Sequence, residues 1–302
     1  MSAEDTALFI SPAFGWPRPH LYRSPMPELP DDPAAILLDI DGVLHVGSDP
    51  TPGAVEVLEQ LRQIATVRLL TNTTSRSRAT IAARLREQGF EVADEEILTP
   101  AALTLAYCRE HGYRRVSLLV SEDLRGDLDG LEDVGAEEEA DAVVLGDLGD
   151  GFTAEVLNGA FRLLLAGAPL IALQHNRYWR AESGLVLDVG AYAAALEYAA
   201  GVESVVIGKP SREFFAAALE DAGAAAEAAL MVGDDVEADV GGGLEAGIAS
   251  VLVRTGKFSE EALAASGIEP TAMIDRLAEL PDLFPRRAAR RRLGERAGGA
   301  DT

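Results

Sequence analysis

The chain predicts an α/β protein built on a parallel sheet, and three observations carry that prediction. Short apolar runs alternate with helical patterns from Ala34 onward, the signature of βαβ units. The runs, such as Ala34-Ala35-Ile36-Leu37-Leu38, are apolar without alternation, as strands covered on both faces require. Several of them stop dead at polar residues, and in open α/β sheets the edge beyond the strand ends is where ligands bind.

Each element has a local reason. Residues 1–33, with Pro17, Pro19, Pro25, Pro27 and Pro30, read as an extended arm. After the first strand, Pro52 opens a helix whose Val55, Leu58 and Leu61 share one face. The strand Thr66–Leu70 ends on Thr71-Asn72-Thr73-Thr74, and a helix through Ile81 and Leu85 stops at Gly89. Thr99-Pro100 supplies an N-cap and a first-turn proline for a helix closing near Gly112. Strands are expected at Val116–Val120, Ala142–Leu145, Pro169–Leu173 and Ser204–Ile207, with helices at Thr153–Ala166 and Ala191–Ala200. The acidic stretch Asp123–Asp141 reads as a solvated connection with room for a short helix, and His175–Leu187 as a loop. Ser211 N-caps a helix at Phe214–Leu219. Ala229–Val232 is a strand ending on Gly233-Asp234-Asp235, Ile248–Val253 is the last strand, and Ile274–Leu283 reads as a final helix. The Arg-rich stretch 285–302 reads as a solvated tail.

Composition narrows the function classes. With 302 residues and 48% hydrophobic content, the chain has ample material for a core. A net charge of −24 repels a nucleic-acid backbone. No eighteen apolar residues run together and the N-terminus lacks a basic-then-apolar leader pattern, so neither membrane span nor export is expected. The single cysteine, Cys108, cannot form an internal disulfide and lies in a helical apolar pattern. It reads as a core residue in a protein of the reducing cytoplasm.

The chemistry concentrates at Asp39/Asp41, Thr71/Asn72, Lys209 and Asp234/Asp235. Two crowded carboxylates are tolerable when a cation lies between them or one holds a proton. Hydrolysis of a phosphate ester requires the roles these groups can fill. Asp39 would attack phosphorus, and Asp41 would protonate the leaving oxygen and then activate water. Thr71 and Asn72 would hold phosphate oxygens, and Lys209 would neutralise charge. Asp39, Asp41 (through its carbonyl) and Asp234, with Asp235 as a further candidate, would hold Mg²⁺ through oxygen ligands.

In this order the motifs Asp-x-Asp-Gly-Val-Leu, Thr-Asn after a strand, Gly-Lys-Pro and Gly-Asp-Asp resemble those of haloacid-dehalogenase-like phosphatases, over most of residues 34–258. The segment between Thr71 and Lys209 resembles the α/β cap of the branch that includes 4-nitrophenylphosphatase-like enzymes. Asn158-Gly159-Ala160-Phe161, Arg177-Tyr178, Ser183-Gly184-Leu185, Ala195-Leu196-Glu197-Tyr198 and Val253-Arg254-Thr255-Gly256-Lys257 look closer still to the phospholysine phosphohistidine inorganic pyrophosphate phosphatase group. The resemblance implies a Rossmann-like, doubly wound core at 34–101 and 206–284, an inserted α/β cap domain at 102–205, Mg²⁺ dependence, a small phosphorylated substrate and a homodimer formed through the cap. Asp41 matches the ordinary acid/base aspartate, which some members of this group replace with serine.

Other readings stand beside these. Asp235 and Asp239 each suit either metal support or capping of the following helix. Gly241-Gly242-Gly243 mimics a dinucleotide fingerprint but begins too far beyond its strand, so close packing is the better reading than an oxidoreductase. A phosphate-binding regulatory protein without turnover is the other alternative. His45 reads as a loop residue. Asn176, Arg177 and Tyr178 offer an amide, a planar cation and a hydroxyl suited to recognising a polar or anionic substrate.

Overall fold

The computed structural model of the chain describes residues 26–136, 139–181 and 184–284. The proposed tail and most of the proposed arm lie outside them. In chain order, β1 (Ala35–Asp39) precedes a small hairpin of β2 (His45–Val46) and β3 (Asp49–Pro50), then α1 (Ala54–Arg62), β4 (Thr66–Leu70), α2 (Arg78–Glu87) and β5 (Ile97–Leu98). Next come α3 (Pro100–His111), β6 (Arg115–Leu119), β7 (Glu132–Asp133), β8 (Ala142–Leu145), α4 (Ala154–Leu165) and β9 (Leu170–Ala172). A hairpin of β10 (Tyr178–Ala181) and β11 (Gly184–Leu187) follows, then α5 (Val189–Ala200), β12 (Val205–Val206) and α6 (Arg212–Ala222). The last elements are β13 (Ala229–Gly233), a π-helical turn Val236–Gly241 running into α7 (Gly242–Glu245), β14 (Ala249–Val253), α8 (Glu260–Ser266) and β15 (Ala272–Ile274).

The strands form two main sheets. One is six-stranded and parallel, in the order β15-β14-β13-β1-β4-β5, with β1 hydrogen-bonded to β4 on one side and β13 on the other. The chain winds outward from β1 through β4, and outward again through β13 and β14, so the winding direction reverses beside β1. That reversal is where α/β sheets open a crevice. The second sheet, β12-β9-β8-β6-β7, is also parallel and consists wholly of strands that lie between β5 and β13 in the sequence. The architecture is the doubly wound parallel sheet that the sequence predicts.

Packing explains why β1 is continuously apolar. Ile36 and Leu38 join the cluster that includes Leu58, Leu85 and Val232, while Ala35 and Leu37 join Phe214 and Phe215 on the other face. Each fully buried leucine or isoleucine side chain contributes about 1.5–3 kcal/mol. The second sheet repeats the scheme, with Val144 and Ile171 against Ala101 and Cys108 of α3, and Val143 and Leu170 against Ala160 and Ala193. Thr99 and Ser211 cap their helices as read from sequence, each accepting a backbone N–H from three residues on.

Three segments depart from the sequence reading. His175–Leu187 contains the β10–β11 hairpin, with Tyr178 opposite Leu187 and Trp179 opposite Val186. Its strands carry apolar residues on both faces, so no alternation announces them; Trp179, Leu185 and Leu187 stay exposed. Ile274–Leu283 is not an α-helix: β15 pairs with β14, and a 3₁₀ segment containing Pro281 follows. Pro281 removes a donor that an α-helix would need. Asp123–Leu128 is a 3₁₀ helix whose Leu124 and Leu128 enter the core of the second sheet, so the acidic stretch is anchored at its start. Among the described residues no helix is long and apolar enough to cross a membrane.

Cys108 is fully buried, and burial pushes its thiol up to about 11. Thiolate is the reactive form, so native protein at pH 8 is expected to label with a maleimide far more slowly than protein in guanidinium. Equal rates in the two states would contradict the packing of α3.

Candidate active site

The centre of the site is Lys209, buried between two carboxylates. Its Nζ lies 2.5 Å from Asp39 Oδ1 and 2.6 Å from Asp239 Oδ1, and all three residues are buried. Asp39 ends β1, and Asp234 follows β13, the strand beside it. Carboxylate oxygens of Asp39, Asp234 and Asp239 lie within 4.8 Å of one another.

Lys209 arrives by a route the sequence reading did not anticipate. It follows β12, which pairs with β9 in the second sheet, and not a strand of the six-stranded sheet. The Asn72 side chain holds it in place: its Oδ1 accepts from Lys209 N at 2.9 Å, and its Nδ2 donates to Lys209 O at 2.8 Å. A Cβ on the neighbouring Gly208 would press on Leu173 O and Asn72 Oδ1, so this close approach needs glycine. Both ends of the Asn72 amide are thereby engaged on the Lys209 backbone.

Asp41 stands apart from the three-carboxylate cluster. Its side chain is 54% exposed, and its Oδ2 accepts from Thr71 Oγ1 at 3.2 Å and Thr73 Oγ1 at 3.1 Å. Thr71 Oγ1 also accepts from Thr73 N. The strand does not continue past Asp39, so the two aspartates diverge: Asp39 points to the buried lysine and Asp41 to the solvent-facing edge. His45 is not a free loop residue. It is buried, with Nε2 3.7 Å from Asp41 Oδ1 and Nδ1 at 3.0 Å from Gly47 O.

Asp234 lies under two glycines in left-handed backbone conformations. Gly42 has φ +91° and Gly256 φ +55°, and a Cβ on either would strike the Asp234 carboxylate. Lys257 N donates to Asp234 Oδ2 at 2.6 Å, and Thr255 Oγ1 donates to Gly42 O. Asp235 serves the helix: its Oδ1 accepts from Glu237 N and Ala238 N, and its Oδ2 lies 3.3 Å from Lys257 Nζ. Asp239 is committed to Lys209 and, through Oδ2, to Asp235 N. Thr73, Thr255 and Lys257 were not singled out as site residues from sequence. Lys257 had a signal, being one of only two lysines in the chain.

The electrostatics follow from burial. Desolvation pushes the Asp39 carboxyl well above the carboxylate range, Asp239 adds to the effect, and Lys209 opposes it. Burial also pushes Asp234 up to about 7, helped by Asp239 and resisted by the Lys257 N–H. Burial works against the charge of Lys209, yet Asp239 and Asp39 together hold its ammonium above its ordinary range. Three buried carboxylates thus face one buried ammonium, a surplus of negative charge on hard oxygen donors. That donor set fits Mg²⁺.

Asn176, Arg177 and Tyr178 lie at the start of the β10–β11 hairpin, with Arg177 and Tyr178 exposed. None is joined by a hydrogen bond to Asp39, Asp41 or Lys209 among the described residues. Asp188 closes the hairpin and caps α5, and burial raises its carboxyl. The glycine run lies within the helix after β13, where Cβ atoms on Gly242 and Gly243 would strike Phe215 and Ser250. Those glycines serve close packing and present no nucleotide cradle.

Known proteins resemble this chain in sequence and in fold. The family described as Haloacid dehalogenase-like hydrolase matches residues 36–136, and that described as HAD-hydrolase-like matches 206–280. The chain is 39% identical over 256 residues to the phospholysine phosphohistidine inorganic pyrophosphate phosphatase of Bos taurus, covering 82% of this chain and 93% of that protein. A p-nitrophenyl phosphatase structure from Archaeoglobus fulgidus superposes with TM-score 0.79 at 31% identity, covering 83% of this chain and 99% of that one. A glycerol phosphate phosphatase from Mycobacterium tuberculosis, in complex with magnesium, gives TM-score 0.75 at 31% identity over 82% of this chain and 76% of that one. On sequence and fold together, the chain belongs to the haloacid dehalogenase-like hydrolases, and among them it is a phosphatase.

Proposed function

We propose that the chain is a Mg²⁺-dependent phosphatase that hydrolyses a small phosphorylated substrate through an aspartyl-phosphate on Asp39. The observation that carries this reading is the Asp39–Lys209–Asp239 contact beside Asp234, at the winding reversal of the sheet. An Asp39 carboxylate oxygen forms a bond to phosphorus while the bond to the leaving oxygen breaks, and Asp41 gives that oxygen a proton. Asp41 then takes a proton from water, whose oxygen displaces Asp39 from phosphorus. Half-exposed Asp41 can exchange protons with solvent, as an acid/base requires, whereas buried Asp39 cannot do so readily. Thr71, whose hydroxyl donates to Asp41 in this structure, would turn that hydroxyl to a phosphoryl oxygen of bound substrate. Asn72 acts through Lys209, fixing the backbone from which the ammonium reaches Asp39. Asp39, Asp234 and the Asp41 carbonyl would hold Mg²⁺, which when bound supplies positive charge against the phosphoryl oxygens. Asp235 and Asp239, whose oxygens serve the helix and Lys209, orient this set.

The bovine relative's name points to phosphoramidates and pyrophosphate as substrates to try first, and the hairpin carrying Arg177 to the part that selects among them.

Asp39→Asn should lower turnover of p-nitrophenyl phosphate by roughly 10³-fold or more while leaving the melting temperature nearly unchanged, since volume is kept and the nucleophile is lost. Turnover within tenfold of wild type would refute the covalent route.

The raised carboxyl of Asp234 makes a signed prediction about metal and pH. Burial pushes its carboxyl up to about 7 in the folded chain without metal, against about 3.9 when unfolded. Between those values the folded state binds more protons, so the metal-free protein loses stability as pH rises through that window. Mg²⁺ competes with that proton, so the melting-temperature gain on adding Mg²⁺ should be larger at pH 8 than at pH 6. An equal gain at both, measured by scanning fluorimetry with and without EDTA, would place the metal elsewhere.

Arg177→Ala should change the ranking among pyrophosphate, phospholysine and phosphohistidine while hydrolysis of p-nitrophenyl phosphate survives. One lost charge-assisted hydrogen bond is worth about 1.5–3 kcal/mol, roughly ten- to a hundred-fold in specificity. Equal losses on every substrate would assign Arg177 a structural role instead.

A further inference from the structure

Helix α2 begins without acids of its own. Its first turn holds no carboxylate, and Arg76 and Arg78 flank its N-cap, Ser77, where positive charge is unfavourable. The missing acids come from the 3₁₀ segment Asp123–Leu128, which packs on the second sheet. Asp123 Oδ2 accepts from Ser77 N at 2.9 Å, and its Oδ1 accepts from Ser77 Oγ at 3.1 Å and Thr80 Oγ1 at 3.0 Å. Asp127 Oδ2 accepts from Arg78 N at 2.7 Å. Just upstream, Ser121 Oγ donates to Ser75 O at 2.9 Å. The spacing makes the segment two-sided: Leu124 and Leu128 enter the core beneath the second sheet, while Asp123 and Asp127 meet α2. The Ser77 and Thr80 bonds hold the Asp123 carboxyl below the ordinary carboxylate range.

The two flanks of α2 both lead to the active site. Upstream of Ser77 runs the Thr71–Thr74 loop, whose Thr71 and Thr73 hydroxyls bond Asp41. At its other end Arg84 Nη2 donates to Gly47 O at 2.7 Å and Gln88 Nε2 to Ser48 O at 2.9 Å. Gly47 and Ser48 form the turn of the β2–β3 hairpin, whose His45 is buried against Asp41. A ten-residue helix is a stiff link between those points. The segment that seats its N-terminus packs on the second sheet, whereas the Thr71–Thr74 loop follows β4 of the first and the β2–β3 hairpin is a small sheet of its own.

We infer that Asp123 and Asp127 are positioning residues: they seat α2 from the second sheet and, through it, set the Thr71–Thr74 loop and the β2–β3 hairpin on either side of Asp41. The inference rests on the roles proposed above for Asp41 and Thr71. It makes the seating of the second sheet a determinant of turnover, apart from any contact of that sheet with substrate.

The test uses the full chain with Asp123→Ala, Asp127→Ala, Arg84→Ala and the Asp123→Ala/Arg84→Ala pair. Asp141→Asn serves as control, because Asp141 makes the same kind of bond, to Arg114 N and Arg115 N, within the second sheet. Hydrogen exchange read by mass spectrometry should rise in Asp123→Ala at both 71–74 and 45–50, and not in the control. The kcat for p-nitrophenyl phosphate should fall about tenfold with KM within about twofold, the scale of coupling carried through packed elements. The double variant should lose at least about threefold less than the product of the single losses, although Asp123 and Arg84 share no bond. If an alanine variant does not fold, Asp123→Asn, which keeps size and one acceptor oxygen, takes its place with the same expectations at smaller amplitude. Exchange that rises only at 77–80, or single losses that multiply in full, would overturn the inference. The exchange measurement reads the linkage whatever the chemistry, so its failure is distinct from failure of the Asp39 route, which Asp39→Asn decides.

Discussion

The rest of the site depends on one buried charge balance. Lys209 is a buried ammonium among three buried carboxylates, and each of its two close partners would be costly without it. Removing one partner of such a group leaves an uncompensated buried charge, worth several kcal/mol. A surplus of carboxylates remains even with the lysine in place, and burial first, then the neighbouring Asp239, raises the carboxyls of Asp39 and Asp234. A structure optimised for stability alone would not keep that surplus. It suits the divalent cation proposed for this site.

The scaffold keeps this arrangement rigid by placing it on the most buried strands. β1 is apolar on both faces and paired on both edges, so the position of Asp39 is set by the core on either side. Lys209 enters from the other sheet and needs its own restraint, which the two-point clamp of Asn72 supplies. Asp234 needs space as well as position. Gly42 and Gly256 give it that space, because both backbones pass too close to the carboxylate for a Cβ. Preorganisation of this kind lets a site act electrostatically without rearranging during reaction.

The two sheets share the work unevenly. The six-stranded sheet carries Asp39 and Asp234 at the ends of neighbouring strands. The five-stranded sheet sends in Lys209, presents the exposed β10–β11 hairpin and caps α2 with Asp123 and Asp127. A segment that provides both the buried Lys209 and a helix cap is structurally continuous with the six-stranded sheet.

The sequence by itself determined the parallel sheet, the helix starts at Thr99 and Ser211, and the segments that meet at the site. Those features are local: an unbroken apolar run, a capping residue, a carboxylate at a strand end. Within the site, Asp39, Lys209 and Asp234 were legible as residues, but their pairing was not. Whether Asp39 and Asp41 point the same way depends on where β1 stops, and it stops at Asp39, two residues before Asp41 bridges to His45. Whether Asp239 or Asp235 takes the lysine depends on how the helix after β13 begins. Asp235 occupies the cap there, and Asp239, four residues on, is carried back toward the strand end. The tertiary structure also decided that Asn72 holds a backbone, that His45 is buried, and that an acidic stretch read as solvated caps a distant helix. The first and last of these are contacts between residues remote in sequence, and periodicity and composition carry no information about such partners.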